Sequence, residues 1–291
     1  MPTRHLLHCW DQVGKQLRSA RTVALFLDFD GTLTRLRPRP EEVWLDSSTR
    51  RALGVLARSR RFRVWVVSGR RQADVRARIR VPGIRYLGLH GWEGATFGES
   101  VSNNSAAALA HAKAWMSASL AALPGVWVED KEFILAVHYR SAPEFSVRCA
   151  HQIVQGVVRR SSDSLRLAGG NKVWEVMPLE VKDKGAAVRH ELASVSGPAV
   201  PVYVGDDAGD EPAFKVLSNG ITIRVGPARA SRAKYRLSNA AQVRLFLEKL
   251  SGVAANERHR TSSNGLPDFE RGFGGAAGLG FCGIAGSDVS L

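Results

Sequence analysis

The sequence predicts an α/β fold: a doubly wound, Rossmann-like parallel sheet with a smaller α+β domain inserted into it. Apolar segments typical of buried strands alternate with helical segments, and each such strand ends abruptly at acidic residues or a glycine turn. Between residues 102 and 170 the order changes to a helix, paired strands, a second helix and further strands. A chain of 291 residues, 44% of them hydrophobic, is long enough to form both domains.

The elements of the predicted core follow in chain order. An amphipathic helix over Leu6–Ser19 leads to an apolar strand that begins at Val23 and ends at acidic residues. A helix over Ser47–Ser59 comes next, with one of its first two serines as the N-cap. The other predicted core strands are Phe62–Val67, Ile84–Leu89 and Val200–Val204. Ligands bind beyond the carboxyl ends of the strands in such sheets, so we expect the polar residues after these strands to form the site.

The inserted domain is predicted from a run of helices and short strands. They are a helix over Ser105–Leu123, hairpin strands Val126–Val128 and Phe133–Tyr139, a helix over Glu144–Arg160 and a strand pair over Leu165–Val176. After residue 250 the chain becomes rich in Gly and Ser and loses regular periodicity, which predicts a disordered tail. We therefore predict a core in two parts (1–101 and 171–250), the inserted domain (102–170) and the tail (251–291).

Composition excludes several classes of protein. Lys and Arg number 41 against 27 acids, and a net charge of +14 favours an anionic partner: nucleic acid, a membrane surface or a phosphorylated metabolite. No basic run is interleaved with aromatic residues, so nucleic acid is the least favoured of these. No segment approaches the ~20 apolar residues of a membrane span, and the first thirty residues lack an apolar signal core, which predicts a cytoplasmic protein. The spacing of Cys9, Cys149 and Cys282 fits neither a disulfide framework nor a metal cluster.

Acidic residues follow two of the predicted strands. Asp28 and Asp30, two positions apart at a strand end, project in the same direction and repel each other unless a cation lies between them. The later strand ends in Gly-Asp-Asp-Ala-Gly-Asp-Glu, which adds Asp206, Asp207 and Asp210. Carboxylate oxygens are hard ligands that suit Mg²⁺, so the sequence predicts a magnesium site. Two alternatives remain open: a simple Asp-Gly turn for the first cluster and a solvated acidic loop for the second.

Two further fragments suit a phosphate group. Ser68 and the amide that follows it, at the end of a strand, can donate hydrogen bonds to phosphate oxygens, and Arg70 adds a bidentate guanidinium. Lys184, at a predicted helix start, offers a point charge for the same group. Each fragment alone is common in proteins, but all of them lie at strand or helix ends that face one edge of the sheet. Together they predict a phosphate site beside the carboxylates.

This order of motifs resembles the haloacid dehalogenase superfamily, in which an Asp-x-Asp-Gly-Thr segment follows the first strand. The resemblance implies a phosphohydrolase that forms an aspartyl-phosphate intermediate. It implies that Asp28 is the nucleophile and Asp30 the general acid/base, and that Mg²⁺ lies between the Asp28 carboxylate, the Asp30 backbone carbonyl and Asp206. The remaining implied roles are phosphoryl binding by Ser68 and Lys184, and support of the metal from its outer shell by Asp207 and Asp210.

A narrower resemblance, to trehalose-6-phosphate phosphatases, covers residues Thr22–Leu250. It is carried by Gly-Leu-His-Gly-Trp-Glu, Val-Glu-Asp-Lys, His-Tyr-Arg, Lys-Val-Trp-Glu-Val-Met-Pro and the final Gly-Asp-Asp motif. In that family the inserted domain is a cap that closes over the active site and contacts the sugar. The implied substrate-binding residues are Lys131, Arg140, Asn171, Lys172 and Glu175 on the cap, with His90 and Glu93 on the core side. For each cap residue, a surface salt bridge is the alternative interpretation.

Two residues depart from the family pattern. Gly209 stands where the family usually has Thr, and because Gly is a weaker helix N-cap, we expect a less rigid loop there. Met177 stands where a basic residue is common, so one charge near the cleft is absent. Neither position belongs to the predicted catalytic set.

The sequence therefore predicts a cytoplasmic, Mg²⁺-dependent phosphatase whose substrate is a small sugar phosphate, trehalose 6-phosphate. A functional coupling to a trehalose-phosphate synthase is a further expectation. Three alternatives stay open: a phosphatase for sucrose phosphate or a mannosyl phosphoglycerate, a catalytically idle regulatory module, and a nucleic-acid binder. The complete set of Asp28, Asp30, Ser68, Lys184 and Asp206 argues against the idle module, and the missing basic aromatic groove argues against the nucleic-acid binder.

Overall fold

The computed structural model of the chain contains two β-sheets with helices packed on them. It describes residues 3–37, 39–95, 100–170, 172–227 and 230–262, with side chains up to residue 254. The strands are β1 Arg4–His5, β2 Thr22–Leu27, β3 Phe62–Val67, β4 Arg85–Leu87, β5 Trp127–Asp130, β6 Leu135–His138, β7 Leu165–Gly170, β8 Val173–Pro178, β9 Ala199–Gly205, β10 Ile221–Val225 and β11 Tyr235–Leu237. The α-helices are α1 Trp10–Ser19, α2 Ser47–Arg58, α3 Gln72–Ile79, α4 Asn103–Leu120, α5 Glu144–Arg160, α6 Lys184–Ala193, α7 Glu211–Val216 and α8 Ala240–Ser262.

The larger sheet is parallel, in the order β1-β11-β10-β9-β2-β3-β4. Strand β2 lies in the interior of this sheet, between β9 and β3, and its Leu27 pairs with Val204 of β9 and Val66 of β3. Because the three strands run in one direction and end in register, the residues that follow them meet at one edge of the sheet. The predicted α/β fold class is confirmed, and the predicted carboxylates and Ser68 share this edge.

Both faces of the parallel sheet are buried. Along β2 the side chains of Val23, Leu25 and Leu27 join one apolar cluster, while Ala24 and Phe26 join another on the opposite face. This two-sided burial is why the strand is a continuous apolar run instead of an alternating one. A strand buried on both faces is held rigidly, so the residue at its end, Asp28, has a well-defined position.

The smaller sheet is antiparallel, in the order β5-β6-β8-β7. One face packs against α4 and α5 through apolar residues such as Met116, Val137 and Val154. The other face carries Glu129 and Glu175, which lie in one row across the sheet with Ala136 between them. Since residues alternate between the two faces of a strand, this arrangement turns Glu129 and Glu175 away from the apolar cluster.

Several details differ from the sequence-based expectations, including a domain boundary, the start of the tail and one helix cap. The predicted boundary between residues 170 and 171 falls inside the β7–β8 hairpin, because β8 pairs with β6 and β7 and so belongs to the antiparallel sheet. The predicted tail begins too early, because α8 continues to Ser262; the rest of that tail lies outside the described residues. Helix α2 is capped by Asp46, whose carboxylate accepts hydrogen bonds from two backbone amides of the first turn, and not by a serine.

Residues Met1–Glu257 form one compact unit that contains both sheets. The division of this unit into core and cap therefore remains a prediction from the sequence. Among the described residues, no helix combines the length and the apolar character that crossing a bilayer requires.

Candidate active site

Asp28 and Lys184 form a buried ion pair at the edge of the parallel sheet. Lys184, the first residue of α6, donates hydrogen bonds to Asp28 Oδ1 (2.7 Å) and to Asp210 Oδ1 (2.8 Å), and all three residues are buried. Burial alone would lower the pKa of the Lys184 ammonium, but the charges of Asp210 and Asp28 raise it well above its usual value. Lys184 is therefore a fixed positive charge beside the predicted nucleophile.

Asp210 holds the loop after β9 in place. Its Oδ2 accepts hydrogen bonds from the backbone amides of Asp206 (2.8 Å) and Asp207 (3.0 Å), and its Oδ1 accepts one from the Tyr203 hydroxyl (2.8 Å). Burial would raise the pKa of Asp210, but Lys184 and these hydrogen bonds lower it. Both oxygens of this carboxylate are occupied, so it positions Asp206 and Lys184.

Asp206 lies directly against the turn that follows Asp28. Thr32 Oγ1 donates a hydrogen bond to Asp206 Oδ1 at 3.3 Å. Gly31 has φ +84°, and a Cβ placed on it would lie 2.2 Å from Asp206 Oδ2. Only glycine combines this backbone conformation with this close approach. The Asp-Gly-Thr segment therefore does make a turn, as one alternative held, but the turn brings the two acidic clusters together.

Three carboxylates at this edge of the parallel sheet, which we call the acidic edge, suit a divalent cation. Asp28, Asp206 and Asp210 each bring one oxygen to within 4.8 Å of the others. Burial raises the pKa of Asp206 to about 10, with further contributions from the charges of Asp28 and Asp210, and it raises the pKa of Asp28 to about 7 against the effect of Lys184. The positive charge of Lys184 alone is therefore not enough to compensate the negative charge of these carboxylates. Hard oxygen donors with surplus negative charge fit Mg²⁺, and they fit a solvated acidic loop poorly.

Asp30 and Arg70 form a bidentate ion pair. Arg70 Nε donates to Asp30 Oδ2 at 2.7 Å and Nη2 to Asp30 Oδ1 at 2.8 Å, while Nη1 donates to Asp74 Oδ2 at 2.9 Å. Although burial opposes it, this pairing raises the pKa of the Arg70 guanidinium. The Asp30 carboxylate is thus directed toward Arg70. Arg70, which the sequence predicts to bind phosphate, lines the cleft and contacts the predicted general acid/base.

Ser68 lies at the end of β3, as predicted, and is buried beside the cleft. Its Oγ accepts a hydrogen bond from the Arg70 amide at 3.1 Å, and its backbone carbonyl accepts one from the His90 amide at 2.9 Å. These bonds hold the turn after β3 against the loop after β4. His90 has a φ of +61°, which is unusual for a residue with a side chain and indicates a tightly constrained loop.

A second set of charges joins the two sheets across the cleft. Glu175 on β8 accepts a hydrogen bond from Lys131 Nζ (3.1 Å) and lies 2.6 Å from His90 Nε2, while Lys131 Nζ also donates to the Gly69 carbonyl (3.0 Å). Burial would raise the pKa of Glu175, but His90 and Lys131 lower it. Lys131, Glu175 and His90, all predicted to bind substrate, are therefore brought together. For Lys131 and Glu175, the salt-bridge alternative describes this arrangement, although the bridge is buried.

Glu93 has a structural role in this arrangement. Its Oε2 accepts a hydrogen bond from the amide of Gln72, the first residue of α3, at 2.5 Å. Its Oε1 pairs with Arg71 at 2.9 Å, and Arg71 also pairs with Glu132 in the turn between β5 and β6. Glu93 thus caps a helix and supports a second link between the sheets, in addition to lining the cleft.

Asp207 caps the short helical turn Ala208–Asp210. Its Oδ1 accepts a hydrogen bond from the Gly209 amide at 2.8 Å. The N-cap is therefore Asp207, and Gly209 lies inside the turn, which corrects the expectation that Gly209 is the cap. Burial raises the pKa of Asp207, with a further contribution from Asp210.

The cleft between the sheets has a volume of about 1390 Å³. Arg140 and Lys172 line it, as predicted, and both are exposed. Asn171 lies outside the described residues. Met177, one of the two departures from the family pattern, is buried and also lines the cleft.

Several residues of the cleft wall were not predicted from the sequence, among them Trp127, Glu129, His138 and Arg166. Glu129 and His138 belong to motifs that were recognised in the sequence, but neither was assigned a role. A signal was present, because alternation along β5 places Trp127 and Glu129 on the same face as Lys131. Arg166 lies opposite Met177 in the β7–β8 ladder, a pairing that only the strand register reveals.

Comparison with known proteins identifies the family. A family model described as trehalose-phosphatase matches residues 26–242. The chain belongs to the trehalose-phosphatase family. The trehalose-phosphate phosphatase of Mycobacterium tuberculosis is 39% identical over 246 residues, which cover 80% of this chain. The chain spans about 62% of the length of this relative.

Solved structures show the same fold as this member of the trehalose-phosphatase family. The C-terminal domain of Candida albicans trehalose-6-phosphate phosphatase has a TM-score of 0.76 at 21% identity and covers 86% of this chain and 98% of that chain. A haloacid dehalogenase-like hydrolase from Bacteroides thetaiotaomicron has a TM-score of 0.57 at 15% identity, with coverages of 79% and 99%. The predicted haloacid dehalogenase-like fold is therefore confirmed.

Proposed function

We propose that the protein is a Mg²⁺-dependent phosphatase that hydrolyses trehalose 6-phosphate to trehalose and phosphate through a phosphorylated Asp28. The observation that carries the proposal is the juxtaposition of Asp28, Lys184 and Asp206 at the edge of the sheet where β2 ends, facing a cleft large enough for a disaccharide phosphate. Membership of the trehalose-phosphatase family supports the choice of substrate.

In the first step, an Asp28 carboxylate oxygen attacks phosphorus while the bond from phosphorus to the sugar oxygen breaks. The Asp30 carboxyl group, in its protonated form, gives its proton to the departing sugar oxygen. Asp30 must turn away from Arg70 to do so, because both of its carboxylate oxygens accept hydrogen bonds from the guanidinium. Arg70 is thus a positioning residue for the general acid.

In the second step, water attacks phosphorus, Asp30 takes the proton of that water, and the bond from phosphorus to Asp28 breaks. Phosphate leaves and both carboxylates return to their starting states. Lys184 donates to Asp28 throughout and offsets part of the negative charge that gathers around phosphorus.

Asp28 and Asp206 are the residues that would hold Mg²⁺, together with the Asp30 backbone carbonyl implied by the family resemblance. When bound, the ion compensates the charge of the nucleophile and of the phosphate oxygens, which otherwise repel each other. Asp210 keeps Asp206 in position through the backbone amide of that residue. Ser68, buried at the same edge, is placed to donate to a phosphate oxygen.

The choice of trehalose 6-phosphate depends on the cap. A sugar ring presents several hydroxyl groups, which charged side chains recognise by paired hydrogen bonds. Lys131, Glu175 and His90 supply such groups at the deep end of the cleft, and Arg140 and Lys172 supply charges along its wall. Phosphatases of sucrose phosphate or of a mannosyl phosphoglycerate would share the core set, so substrate preference is the property to measure.

The proposal is tested by measuring phosphate release from a panel of sugar phosphates with Mg²⁺. Asp28→Asn is expected to lower kcat for trehalose 6-phosphate by at least about 10³-fold, because the amide cannot act as the nucleophile. Asp11→Asn is the matched control, since Asp11 is exposed on α1, and it should retain wild-type activity. Activity that survives in Asp28→Asn refutes the mechanism, and a preference for another sugar phosphate refutes the assigned substrate.

Two wider expectations from the sequence stay predictions: a cytoplasmic location and a functional coupling to a trehalose-phosphate synthase. Localisation of a tagged chain in cells tests the first. Co-purification with the synthase, or a rise in trehalose 6-phosphate hydrolysis when the synthase is added, tests the second.

A further inference from the structure

An aromatic pair lies on the cleft wall formed by the antiparallel sheet. Trp127 on β5 is directly opposite His138 on β6, and the two rings stack with centroids 4.0 Å apart and planes 12° apart. His138 Nε2 lies 2.8 Å from Glu129 Oε2, within hydrogen-bond distance. The stack and this bond together restrain the His138 ring, which in turn holds the indole of Trp127 in one orientation.

The position of Trp127 within the cleft follows from strand geometry. Trp127, Glu129 and Lys131 are alternate residues, and all three line the cleft. Lys131 marks the deep end of this row, because its Nζ contacts the carbonyl of Gly69, next to the predicted phosphate ligand Ser68. At about 3.3 Å of rise per residue, Trp127 lies ~13 Å farther along the strand. The indole is therefore at the end of this row farthest from the phosphate site.

The indole is also open to a ligand. Trp127 keeps 48% of its surface exposed, even though it stacks on His138. The face of an indole carries negative charge density, and a rigid aromatic ring offers a large contact area at little entropic cost. A pyranose ring has C–H groups on one face, whose slight positive charge matches an aromatic face.

Resting on the proposed function, we infer that Trp127 determines specificity by stacking against the sugar ring that bears no phosphate. A disaccharide phosphate anchored near Ser68 and Lys131 extends toward Trp127, whereas a monosaccharide phosphate ends before it. The contact therefore favours disaccharide phosphates over shorter esters at a site whose chemistry is the same for both.

The test compares trehalose 6-phosphate with p-nitrophenyl phosphate in steady-state kinetics. In Trp127→Ala, the ratio of kcat/KM for the disaccharide to kcat/KM for the small ester is expected to fall about five- to tenfold, through a higher KM for trehalose 6-phosphate. Trp115→Ala is the matched control, since Trp115 is 53% exposed on α4 and does not belong to the residues that line the cleft. Its ratio should equal that of the wild type.

A fluorescence titration gives a second readout that does not require the alanine variant to fold. Trehalose is expected to change the tryptophan emission of Trp115→Phe but not that of Trp127→Phe. An unchanged kinetic ratio in Trp127→Ala, or equal emission changes in the two phenylalanine variants, overturns the inference about Trp127. If the wild type hydrolyses trehalose 6-phosphate, such a result leaves the proposed function intact. A wild type that hydrolyses only the small ester overturns the proposed function as well.

Discussion

Lys184 shows how one residue allows several carboxylates to lie in the interior. Its ammonium donates to both Asp28 and Asp210, and all three side chains are nearly inaccessible to solvent. A buried carboxylate without a partner is costly, and the cost rises when a second one lies close to it. The lysine that the mechanism uses to offset phosphate charge is therefore also a determinant of stability.

Lys184→Met is expected to lower the free energy of unfolding by about 3–5 kcal/mol near pH 8 without Mg²⁺, because it leaves two buried carboxylates unpaired. Urea unfolding measures the change. Lys215→Met, at an exposed position on α7, is the control and should stay within about 0.5 kcal/mol of the wild type. Equal losses in the two variants would contradict the structural role of Lys184.

For individual residues, the sequence predicted which residues lie at the site better than it predicted which side chains contact each other. Asp28 and Ser68 could be predicted as site residues because each follows an apolar strand at the same edge of a parallel sheet. The pairing of Arg70 with Asp30 could not, since it depends on the path of two loops that are 40 positions apart. The capping role of Glu93 was missed for the same reason.

At the scale of elements, α2 illustrates how a helix start is chosen. Asp46 Oδ1 accepts hydrogen bonds from the amides of Ser48 (3.0 Å) and Thr49 (2.9 Å), and Asp46 Oδ2 accepts one from the Thr49 hydroxyl (2.6 Å). Although partial burial opposes it, these bonds lower the pKa of Asp46. The sequence analysis considered only Ser47 and Ser48, although Asp46, which directly precedes them, belongs to a residue type that is equally preferred at N-caps.

Asp46→Ala is expected to reduce the free energy of unfolding by about 1–2 kcal/mol at neutral pH, because two amides lose their acceptor. The folded-state pKa of Asp46 is depressed, so its contribution is present above the unfolded pKa and is lost as pH falls through the folded one. Thermal or urea unfolding of Ser47→Ala provides the control, with an expected change within about 0.5 kcal/mol. A larger loss of unfolding free energy in Ser47→Ala than in Asp46→Ala would show that the serine caps the helix and that Asp46 does not.

Elements with clear patterns were predictable, whereas the short strands were not, and neither was α8, the last part of which lies in the predicted tail. Strand β3 and helix α5 have the predicted bounds, because the first is a continuous apolar run and the second an amphipathic helix of 17 residues. Strands β1 and β11 have two and three residues, too few for a period to be recognised. The pairing of β8 with β6 depends on a contact between distant parts of the chain, so the predicted domain boundary fell inside a hairpin.

For the whole molecule, the acidic edge couples metal binding to stability. The pKa of Asp28 is raised from 3.8 to about 7 and that of Asp206 from 3.8 to about 10. The folded protein therefore holds these protons more tightly than the unfolded chain does. Their stabilising contribution is complete below pH 3.8 and is lost as pH rises through about 7 and about 10.

Mg²⁺ and protons compete for the same oxygens, so the ion should stabilise the fold more as pH rises. We expect the increase in Tm on adding MgCl₂ to be larger at about pH 8 than at about pH 6. In Asp206→Asn the response to Mg²⁺ should be lost, because a carboxylate that would hold the ion is replaced by a neutral amide. A Tm response that is equal at both pH values would contradict this coupling.

The two walls of the cleft come from separate stretches of the chain. The carboxylates follow strands of the parallel sheet and Lys184 begins α6, whereas Trp127 and Glu175 lie on strands of the antiparallel sheet and Lys131 directly follows one of them. Recombination between relatives could exchange only the segment from the start of α4 to the end of β8. Every residue proposed to act on the phosphoryl group would then be retained. New sugar preferences can therefore evolve by replacing one contiguous segment, without reinventing the hydrolytic chemistry.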